Sequence, residues 1–534
     1  MMEAMKSLLS WERLRPVLLG GSVACILLIG MLLRISVFDV TGKDYFHVDV
    51  ARDYLIASHI VAYHDLPLVG PDNFLGPTFN SPAYYYIIAA LLSLQNDFLF
   101  PGLVNVLLQI LSIGMVFIAA RMMFGSVTAL IAVFLFAVSD GVVTESMQMW
   151  QPYLMQFILL CSYLALLHAY RTRQHAYLIV GLSLCAGAAI IHNSVWAVAP
   201  LYLIASVWVL RRGRAPLRDY VLCAAGPLLL FACAYVPNLY LALKGGGATV
   251  SGDLHFVLSA VILQSFSGLT NIYTYLLEGS LQGMTLYSFL IMAASLGGCI
   301  VYLLREREES RRVYFSYLLG LLASVTLAVG LLTLPNGGFP IRYFIPVYAV
   351  FFVLLAELCS FLLRKAPTVI VPLLCVAIVY AGWTSSEYVR SRLGDLPRRV
   401  NEMGWHSLYP RYVYPSDIDV LADYIQSSLR TADGRIRPFD VRTFQHGGED
   451  RYANELMWVP LEWRFGAQLV RTDTHTLRGY VTREQPEVLF ARCVDMEEKI
   501  CWDLFLREYG TEYRNNGILK ASEGVLYVYG QKNL

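Results

Sequence analysis

A short charged segment follows the first long hydrophobic run of the sequence. Asp49, Arg52 and Asp53 lie within it. Carboxylates can exchange protons and bind cations, and a guanidinium can bind anions. Charges placed this close to lipid are costly, and in membrane chains they mark functional sites. Residues three and four apart share a face of a helix, so the three side chains are predicted to lie together, with His59 and Tyr63 further along the same side.

The other side of this predicted helix is apolar. It carries Val50, Ala51, Tyr54, Leu55, Ser58, Val61 and Ala62. The pattern indicates an amphipathic helix that lies on the outer membrane face. The simpler alternative to a functional site is an interfacial helix whose polar side is only solvated.

The overall composition is that of a polytopic membrane protein. The chain has 534 residues, of which 57% are hydrophobic and 15% charged, whereas soluble chains carry about 25% charged residues. The net charge of +1 gives no indication of nucleic-acid binding. No CxxC pair or His-rich cluster suggests a metal site.

Hydrophobic runs predict about eleven transmembrane helices. Since a span needs about 20 mostly apolar residues, we predict spans at 16–37, 101–120, 125–142, 152–170, 175–193, 195–211, 219–240, 284–304, 313–334, 342–363 and 367–384. The Lys and Arg clusters then fall on the side of the N-terminus, which places that side in the cytoplasm. The segment 81–94 is too short to span and is predicted to lie at the outer interface, where Tyr84, Tyr85 and Tyr86 suit the headgroup level.

The composition becomes that of a soluble domain near residue 385. Ser416 is a predicted helix N-cap, and FDVRTF, EVLFARC and GVLYVYG are predicted strands. We therefore expect residues 1–384 to form the membrane domain, with a first outer loop at about 38–100. Residues 385–534 form an extracytoplasmic α/β domain. Cys493 and Cys501 are candidates for a disulfide there, because that compartment is oxidising.

The order of features between the first two spans carries a family resemblance. A span is followed by DVAR at 49–52, a Pro- and Gly-rich loop, SPAYY at 81–85 and a second span. This layout resembles the GT-C superfamily of membrane glycosyltransferases, especially the branch with protein O-mannosyltransferases and lipid A aminoarabinose transferases. The resemblance implies a GT-C-like fold. It also implies inverting transfer of a sugar from a polyprenyl-phosphate carrier to a glycan, lipid or protein acceptor at the outer face of a bacterial cell membrane.

The resemblance also implies residue roles. Asp49 matches the carboxylate that acts as general base on the acceptor hydroxyl, which is a poor nucleophile until its proton is removed. Arg52 matches the arginine that holds the leaving phosphate, to which a guanidinium binds bidentately. The Glu that follows the Asp in the family is Val50 here. That loss of a paired metal-binding carboxylate favours a metal-independent mechanism, and no cofactor is expected, with a divalent metal left open. The aminoarabinose branch has a basic residue at the position of Asn80. Its absence here weakens the inference that this protein uses the substrate of that branch.

Further candidate contacts lie at outer ends of the predicted spans. Asp140 and Glu145 lie in the second outer loop, where related enzymes often place a second carboxylate; the position that matches it directly is Gln151. The alternative is a pair of solvated loop carboxylates. Arg342 and Tyr343 are candidate phosphate ligands, or an interfacial lipid anchor. The remaining candidate substrate contacts are Asp53, Tyr84, Tyr85, His192 and Asn193, of which His192 fits a structural role between two helices equally well.

Three functional hypotheses remain from the sequence. The first is the GT-C glycosyltransferase, whose partners are the lipid-linked donor, the acceptor and membrane lipids. The second is a lipid-linked glycan transporter or flippase, which would hold ionisable groups near the membrane midplane. The third, a glycan polymerase or ligase of another fold, is not expected to show the order described above.

Overall fold

A computed structural model describes most of the helical part of the chain. The described residues are 11–38, 48–64, 66–68, 70, 81–97, 99–146, 148–244, 286–333, 341–366, 415–432, 434, 436–437, 439–445, 448–449, 461, 488–494, 498–509, 513–522 and 525–532. The chain divides into two compact units. The first contains Met1–Asp39, Pro67–Tyr84 and Gly102–Asp395, and the second contains Val40–Leu66, Tyr85–Pro101 and Leu396–Leu534. The domain boundary near residue 385 stays a prediction.

Helices dominate the described residues. They are α1 (Trp11–Val37), α2 (Val48–Tyr63), α3 (Ala83–Leu94), α4 (Leu99–Phe124), α5 (Ser126–Val138), α6 (Asp140–Thr144), α7 (Gln151–Thr172), α8 (His175–Ile191), α9 (Ala199–Arg212), α10 (Leu217–Lys244), α11 (Leu286–Arg305), α12 (Glu309–Thr333), α13 (Tyr348–Lys365), α14 (Pro415–Ser428) and α15 (Glu498–Tyr509). Short 3-10 helices cover Asn193–Ala197 and Ile341–Val347. Helices suit a lipid environment because they satisfy their backbone polar groups internally.

The first ten predicted spans coincide with helices, and the last, 367–384, lies outside the described residues. By length and composition, four helices of the described part are apolar enough to cross a membrane: Pro16–Val37, Leu99–Phe124, Gln151–Thr172 and Tyr343–Lys365. Ser126–Val138, His175–Ile191 and Met292–Arg305 are shorter apolar helices. The protein is thus a helical membrane protein, while the number of eleven crossings stays a prediction.

Helix boundaries differ from the sequence prediction where capping groups or proline intervene. The predicted span 195–211 begins only at Ala199, with Pro200 in its first turn. Before it, the His192 side chain accepts a hydrogen bond from the Ser194 amide and starts a 3-10 helix. The predicted span 342–363 likewise opens with a 3-10 segment that contains Pro346. Proline has no amide hydrogen to donate to a helix, so regular α-helix starts beyond it.

Small residues allow helices α7 and α8 of the first unit to approach closely. The Ser162 hydroxyl donates to the Gly181 carbonyl at 2.6 Å. A Cβ at Gly181 would lie 3.3 Å from the Leu166 nitrogen and from the Ser162 carbonyl oxygen. Close backbone approach at small residues, with a hydroxyl bonded across, is a common way for helices to associate in lipid.

A buried carboxylate ties four helices together near the basic ends of α12 and α13. Glu357 of α13 is fully buried. Its two oxygens accept hydrogen bonds from Thr128 (2.6 Å), Tyr302 (2.9 Å), Arg364 (3.0 Å) and Arg311 (3.2 Å). These partners belong to α5, α11, α13 and α12. A buried charge of this kind is tolerated because it is paired and hydrogen-bonded.

The second unit contains a five-stranded mixed sheet. Its strands are β1 (Phe439–Gln445), β2 (Gly448–Glu449), β3 (Val488–Val494), β4 (Tyr513–Ser522) and β5 (Val525–Lys532), in the order β2-β1-β3-β5-β4. Among the described strands, only β1 and β3 pair in parallel. Helix α15 packs against the sheet through Cys501 and Phe505, which share an apolar core with Leu489 and Val528. The structure places Cys493 and Cys501 in a disulfide, with their Cα atoms 6.0 Å apart.

Candidate active site

The first turns of α2 hold an arginine between two aspartates. Arg52 Nη1 donates to Asp49 Oδ1 at 3.1 Å, while Nε and Nη2 both donate to Asp53 Oδ1 at 2.9 and 2.7 Å. The spacing of three residues places Arg52 beside Asp49 on one helix face, whereas Asp53 is adjacent to Arg52 in the chain and is contacted by the long arginine side chain. Three nitrogens of the guanidinium are therefore oriented by carboxylates of its own helix.

Exposure differs sharply among these three residues. The Asp53 side chain is fully buried, whereas Arg52 and Asp49 are 23% and 27% exposed. The simpler interpretation requires that the whole polar face of this helix is solvated. The burial of Asp53 contradicts it. Asp53 acts as a buried anchor for Arg52, while Asp49 and Arg52 present polar atoms to the surface. The three groups together carry a formal charge of −1 when ionised.

A second buried polar group lies within the first unit, where the Arg34 side chain caps the C-terminal end of α5. Arg34 is fully buried. Its Nη1 donates to the Ala137 and Gly30 carbonyls at 2.9 and 3.1 Å, and Nη2 donates to the Phe136 carbonyl at 3.5 Å. The last four carbonyls of a helix have no partner within it, and a cation is favoured at that negative end of the helix dipole. Arg34 thus supplies hydrogen-bond donors to the last carbonyls of α5 and a positive charge at the negative end of its dipole.

The loop after α6 is held by side chains from other helices of the same unit. Asn105 Nδ2 donates to the carbonyls of Glu145 and Gln148 at 2.8 and 2.9 Å. The Tyr84 hydroxyl donates to the Met149 carbonyl at 2.6 Å. Buried backbone groups need such partners because leaving them unpaired is costly. Tyr84, predicted as a substrate contact, is therefore seen in a structural bond to this loop.

The Glu145 carboxyl is the most unusual group of that loop. It is fully buried, and neither carboxyl oxygen has a hydrogen-bond partner. Burial raises the pKa of Glu145 well above its usual range, and the charge of Arg34 opposes that effect only in part. Strongly perturbed acids concentrate at functional sites. Glu145 is therefore not a solvated loop carboxylate, and it remains a candidate functional residue.

The protonation of Glu145 gives a pH-dependent prediction. Because its pKa is raised in the folded protein, the native state holds a proton that the unfolded state releases above its own pKa of about 4.3. Stability from this group is complete below that pH and is lost as pH rises toward the folded pKa. We expect Glu145→Gln, which is neutral at every pH, to gain stability relative to the unsubstituted protein between pH 5 and 8.

The measurement compares thermal unfolding midpoints of the two proteins in detergent across that pH range. The difference between the midpoints should grow as pH rises. Glu309→Gln provides a control, since Glu309 is an exposed residue at the start of α12. A midpoint difference that stays constant over the range would show that Glu145 is already ionised at pH 5.

Further buried polar side chains belong to α4 and α7, and the sequence analysis missed them. Asn105, Gln109 and Ser112 follow each other at intervals of four and three along α4, and all are fully buried. Gln156 of α7 is also buried, with its amide nitrogen and oxygen unpartnered. A polar stripe with helical spacing inside an apolar span was the signal that predicts them.

The structure describes the side chains of some of the other predicted contact residues and not of others. His192 Nδ1 lies 2.7 Å from the Ser194 hydroxyl, and its ring centroid lies 5.6 Å from that of Tyr343. This capping geometry is the structural role left open for His192. Asn193 starts the following 3-10 helix, and Tyr85 is buried. Asp140 and Arg342 lie in α6 and in the 3-10 helix Ile341–Val347, but their side chains are outside the described part.

No group of three or more His, Cys, Asp or Glu side chains suited to a metal ion occurs among the described residues. The trio on α2 offers two carboxylates, but Arg52 lies between them and donates to both. A cation would have to compete with that guanidinium. We therefore assign no residue to a metal.

Comparison with known proteins places this fold. No protein-family model matches the sequence, and no curated protein is significantly similar to it. Among solved structures, ArnT from Cupriavidus metallidurans bound to undecaprenyl phosphate matches with a TM-score of 0.51 at 13% identity, over 95% of this chain and 98% of that chain. The chain has a GT-C fold. This match confirms the GT-C-like membrane fold predicted from the sequence.

Other GT-C structures match over less of their length. The oligosaccharyltransferase of Archaeoglobus fulgidus in complex with Zn and sulfate has a TM-score of 0.45 at 15% identity. The match covers 76% of this chain, which spans only 55% of that protein. The archaeal oligosaccharyltransferase AglB in complex with an inhibitory peptide and a dolichol-phosphate has a TM-score of 0.41 at 14% identity, with 77% and 58% covered.

Proposed function

We propose that the protein transfers a sugar from a polyprenyl-phosphate carrier to an acceptor at the outer face of the membrane. The observation that carries the proposal is the arrangement on α2, in which the partly exposed Arg52 pairs with the partly exposed Asp49 and with the buried Asp53. The GT-C fold shared with ArnT, which was determined with undecaprenyl phosphate bound, supports a lipid-phosphate donor.

The proposed reaction needs one base and one phosphate ligand. Asp49 accepts the proton of the acceptor hydroxyl as its oxygen attacks the anomeric carbon of the sugar. The bond between that carbon and the phosphate oxygen breaks, and its electron pair leaves with the polyprenyl phosphate. Arg52 stabilises the negative charge that develops on this phosphate. Attack opposite to the leaving group inverts the anomeric centre.

Asp53 is proposed as a positioning residue rather than a catalytic one. Its Oδ1 accepts from two nitrogens of Arg52, which fixes the plane of the guanidinium. Because hydrogen bonds between charged groups contribute about 1.5–3 kcal/mol, Asp53→Asn is expected to raise the KM for the lipid donor about tenfold or more. The kcat is expected to change much less, since the proton acceptor is intact.

A double-mutant cycle tests this positioning role. Donor KM is measured for Asp53→Asn, Arg52→Gln and the double variant. If Asp53 acts through Arg52, the second substitution adds little to the first. Additive increases in KM would mean that Asp53 acts independently of the arginine.

The function itself is tested with the unsubstituted protein in detergent. Labelled polyprenyl-phosphate sugars are supplied with an acceptor-bearing membrane extract, with and without a chelator. Label on the acceptor supports the proposal, and its persistence in chelator supports chemistry without a metal. If no acceptor is labelled by any extract while the protein moves the labelled lipid across liposome bilayers, the protein is a transporter and the proposal is wrong.

A further inference from the structure

An apolar cavity lies within the first unit, and none of the candidate active-site residues lines it. It measures about 240 Å³ and is lined by aliphatic and aromatic side chains of α4, α7, α9, α12 and α13. From α4 it takes Val116, Ala119 and Met123, which belong to the half of that helix next to Arg121. The cavity therefore lies toward the basic ends of the helices.

The cavity opens sideways through α9. Ile204 and Trp208 line it and are nevertheless 64% and 41% exposed. Their neighbours Leu203 and Val207 are exposed as well. In a membrane-spanning unit, such an apolar opening faces hydrocarbon chains rather than water. A lipid chain can thus enter from the side.

Three aromatic rings and an arginine lie at the basic end of the cavity. The rings of Tyr170 and Trp208 stack with centroids 5.1 Å apart, and Tyr314 meets Tyr170 edge-on at 5.6 Å. Arg212 Cζ lies 5.4 Å from the Trp208 centroid and 5.7 Å from that of Tyr170, whose hydroxyl accepts from Nη1 at 3.2 Å. The guanidinium is thus held over the rings by cation–π contacts.

Arg212 keeps donors directed to the surface. It is exposed, and a guanidinium has five N–H groups, of which the Tyr170 bond uses one. Arg171 is also exposed and belongs to the same basic end, where it donates to the Met122 carbonyl. Cations directly above an apolar cavity with a lateral opening complement a lipid whose headgroup carries a phosphate.

We propose that this cavity binds one acyl chain of an anionic phospholipid of the leaflet on the basic side, with the lipid phosphate at Arg212. The positive-inside rule assigns that leaflet to the cytoplasm. A donor whose phosphate is used at the outer face cannot place that phosphate at Arg212, so the occupant is a membrane phospholipid. The choice of a membrane phospholipid over the polyprenyl carrier rests on the proposed function. Its consequence is that the packing of five helices responds to membrane composition.

The test measures lipid retention by native mass spectrometry of the full chain in detergent. The probes are dioleoyl phosphatidylglycerol, which is anionic, and dioleoyl phosphatidylcholine, which is not. The unsubstituted protein is expected to retain the anionic lipid preferentially. Arg212→Gln should weaken that retention about fivefold, since one cation near a lipid phosphate contributes about 1 kcal/mol. Arg211→Gln is the matched control, because it removes the same charge from the adjacent exposed position and should leave retention unchanged.

Further arms separate the alternatives. Ala205→Phe, which fills part of the cavity, should reduce retention of both lipids; if that variant does not fold, the two arginine variants still decide. Equal retention of the two lipids, or equal losses for Arg211→Gln and Arg212→Gln, would overturn the proposal. Displacement of the anionic lipid by polyprenyl phosphate would also overturn it, because the cavity would then hold the carrier tail.

Discussion

Asp49→Asn is expected to reduce sugar transfer by about 10²–10⁴-fold, the usual contribution of a positioned general base. Asparagine has nearly the same shape, and its amide oxygen can still accept the Arg52 hydrogen bond that Asp49 Oδ1 accepts at 3.1 Å. It cannot take a proton from an acceptor hydroxyl. We therefore expect the loss to fall on kcat, with binding of the lipid donor largely preserved.

The measurement is transfer of label from a polyprenyl-phosphate sugar by the purified variant, with thermal unfolding recorded on the same sample. Asp503→Asn is the matched control, because Asp503 is an exposed aspartate of α15 and its loss should leave transfer unchanged. A folded Asp49→Asn protein that transfers at the rate of the unsubstituted protein would remove Asp49 as the base. That result would leave the glycosyltransferase proposal standing with another base.

Glu357→Gln is expected to destabilise the first unit by about 3–5 kcal/mol, the usual effect of removing one partner from a buried ion pair. Glu357 is fully buried and accepts from Arg311 and Arg364, which are 21% and 38% exposed. Glutamine keeps one acceptor oxygen, so it can accept the bond from Thr128 or the bond from Tyr302, but not both. It leaves the two guanidinium groups without the buried charge that balances them.

The unfolding free energy in detergent, or the thermal midpoint, measures this effect. The control is Glu309→Gln on α12, which removes a carboxylate from an exposed position near the same basic end. A drop in the midpoint for Glu357→Gln alone supports the role of the network. If both substitutions gave the same small change, the four hydrogen bonds to Glu357 would contribute little, and other contacts would hold α5, α11, α12 and α13 together.

The sequence by itself determined the helices and the local cluster on α2. Hydrophobic runs of span length place the helices, since lipid selects for long apolar stretches with internal hydrogen bonds. Asp49 and Arg52 meet because an interval of three residues brings side chains onto one helix face, and Asp53 is the chain neighbour of Arg52. Both results depend only on spacing along the chain, which the sequence contains in full.

Sequence analysis failed where a neighbouring residue in space, rather than in the chain, decides the role of a group. Arg34 lies within an apolar run of the sequence, yet it caps the end of α5 by donating to the carbonyl of Ala137, 103 residues away. His192 was predicted as a substrate contact or as a structural residue; its ring caps a 3-10 helix, and its contact with substrate stays a prediction. The helix boundaries differ for a local reason, because the His192 cap and Pro346 interrupt the predicted spans.

Only the tertiary structure decided which polar groups are buried and what they contact. Asp53 and Glu145 both look like surface carboxylates in the sequence, but each is fully buried. Glu357 appears as one acid within an apolar run, yet it accepts from Thr128, 229 residues away. Burial and partner choice follow from how separate helices pack. Packing is the sum of many weak contacts between segments that are distant in the chain. The spacing of residues within one segment does not show which distant segment it contacts.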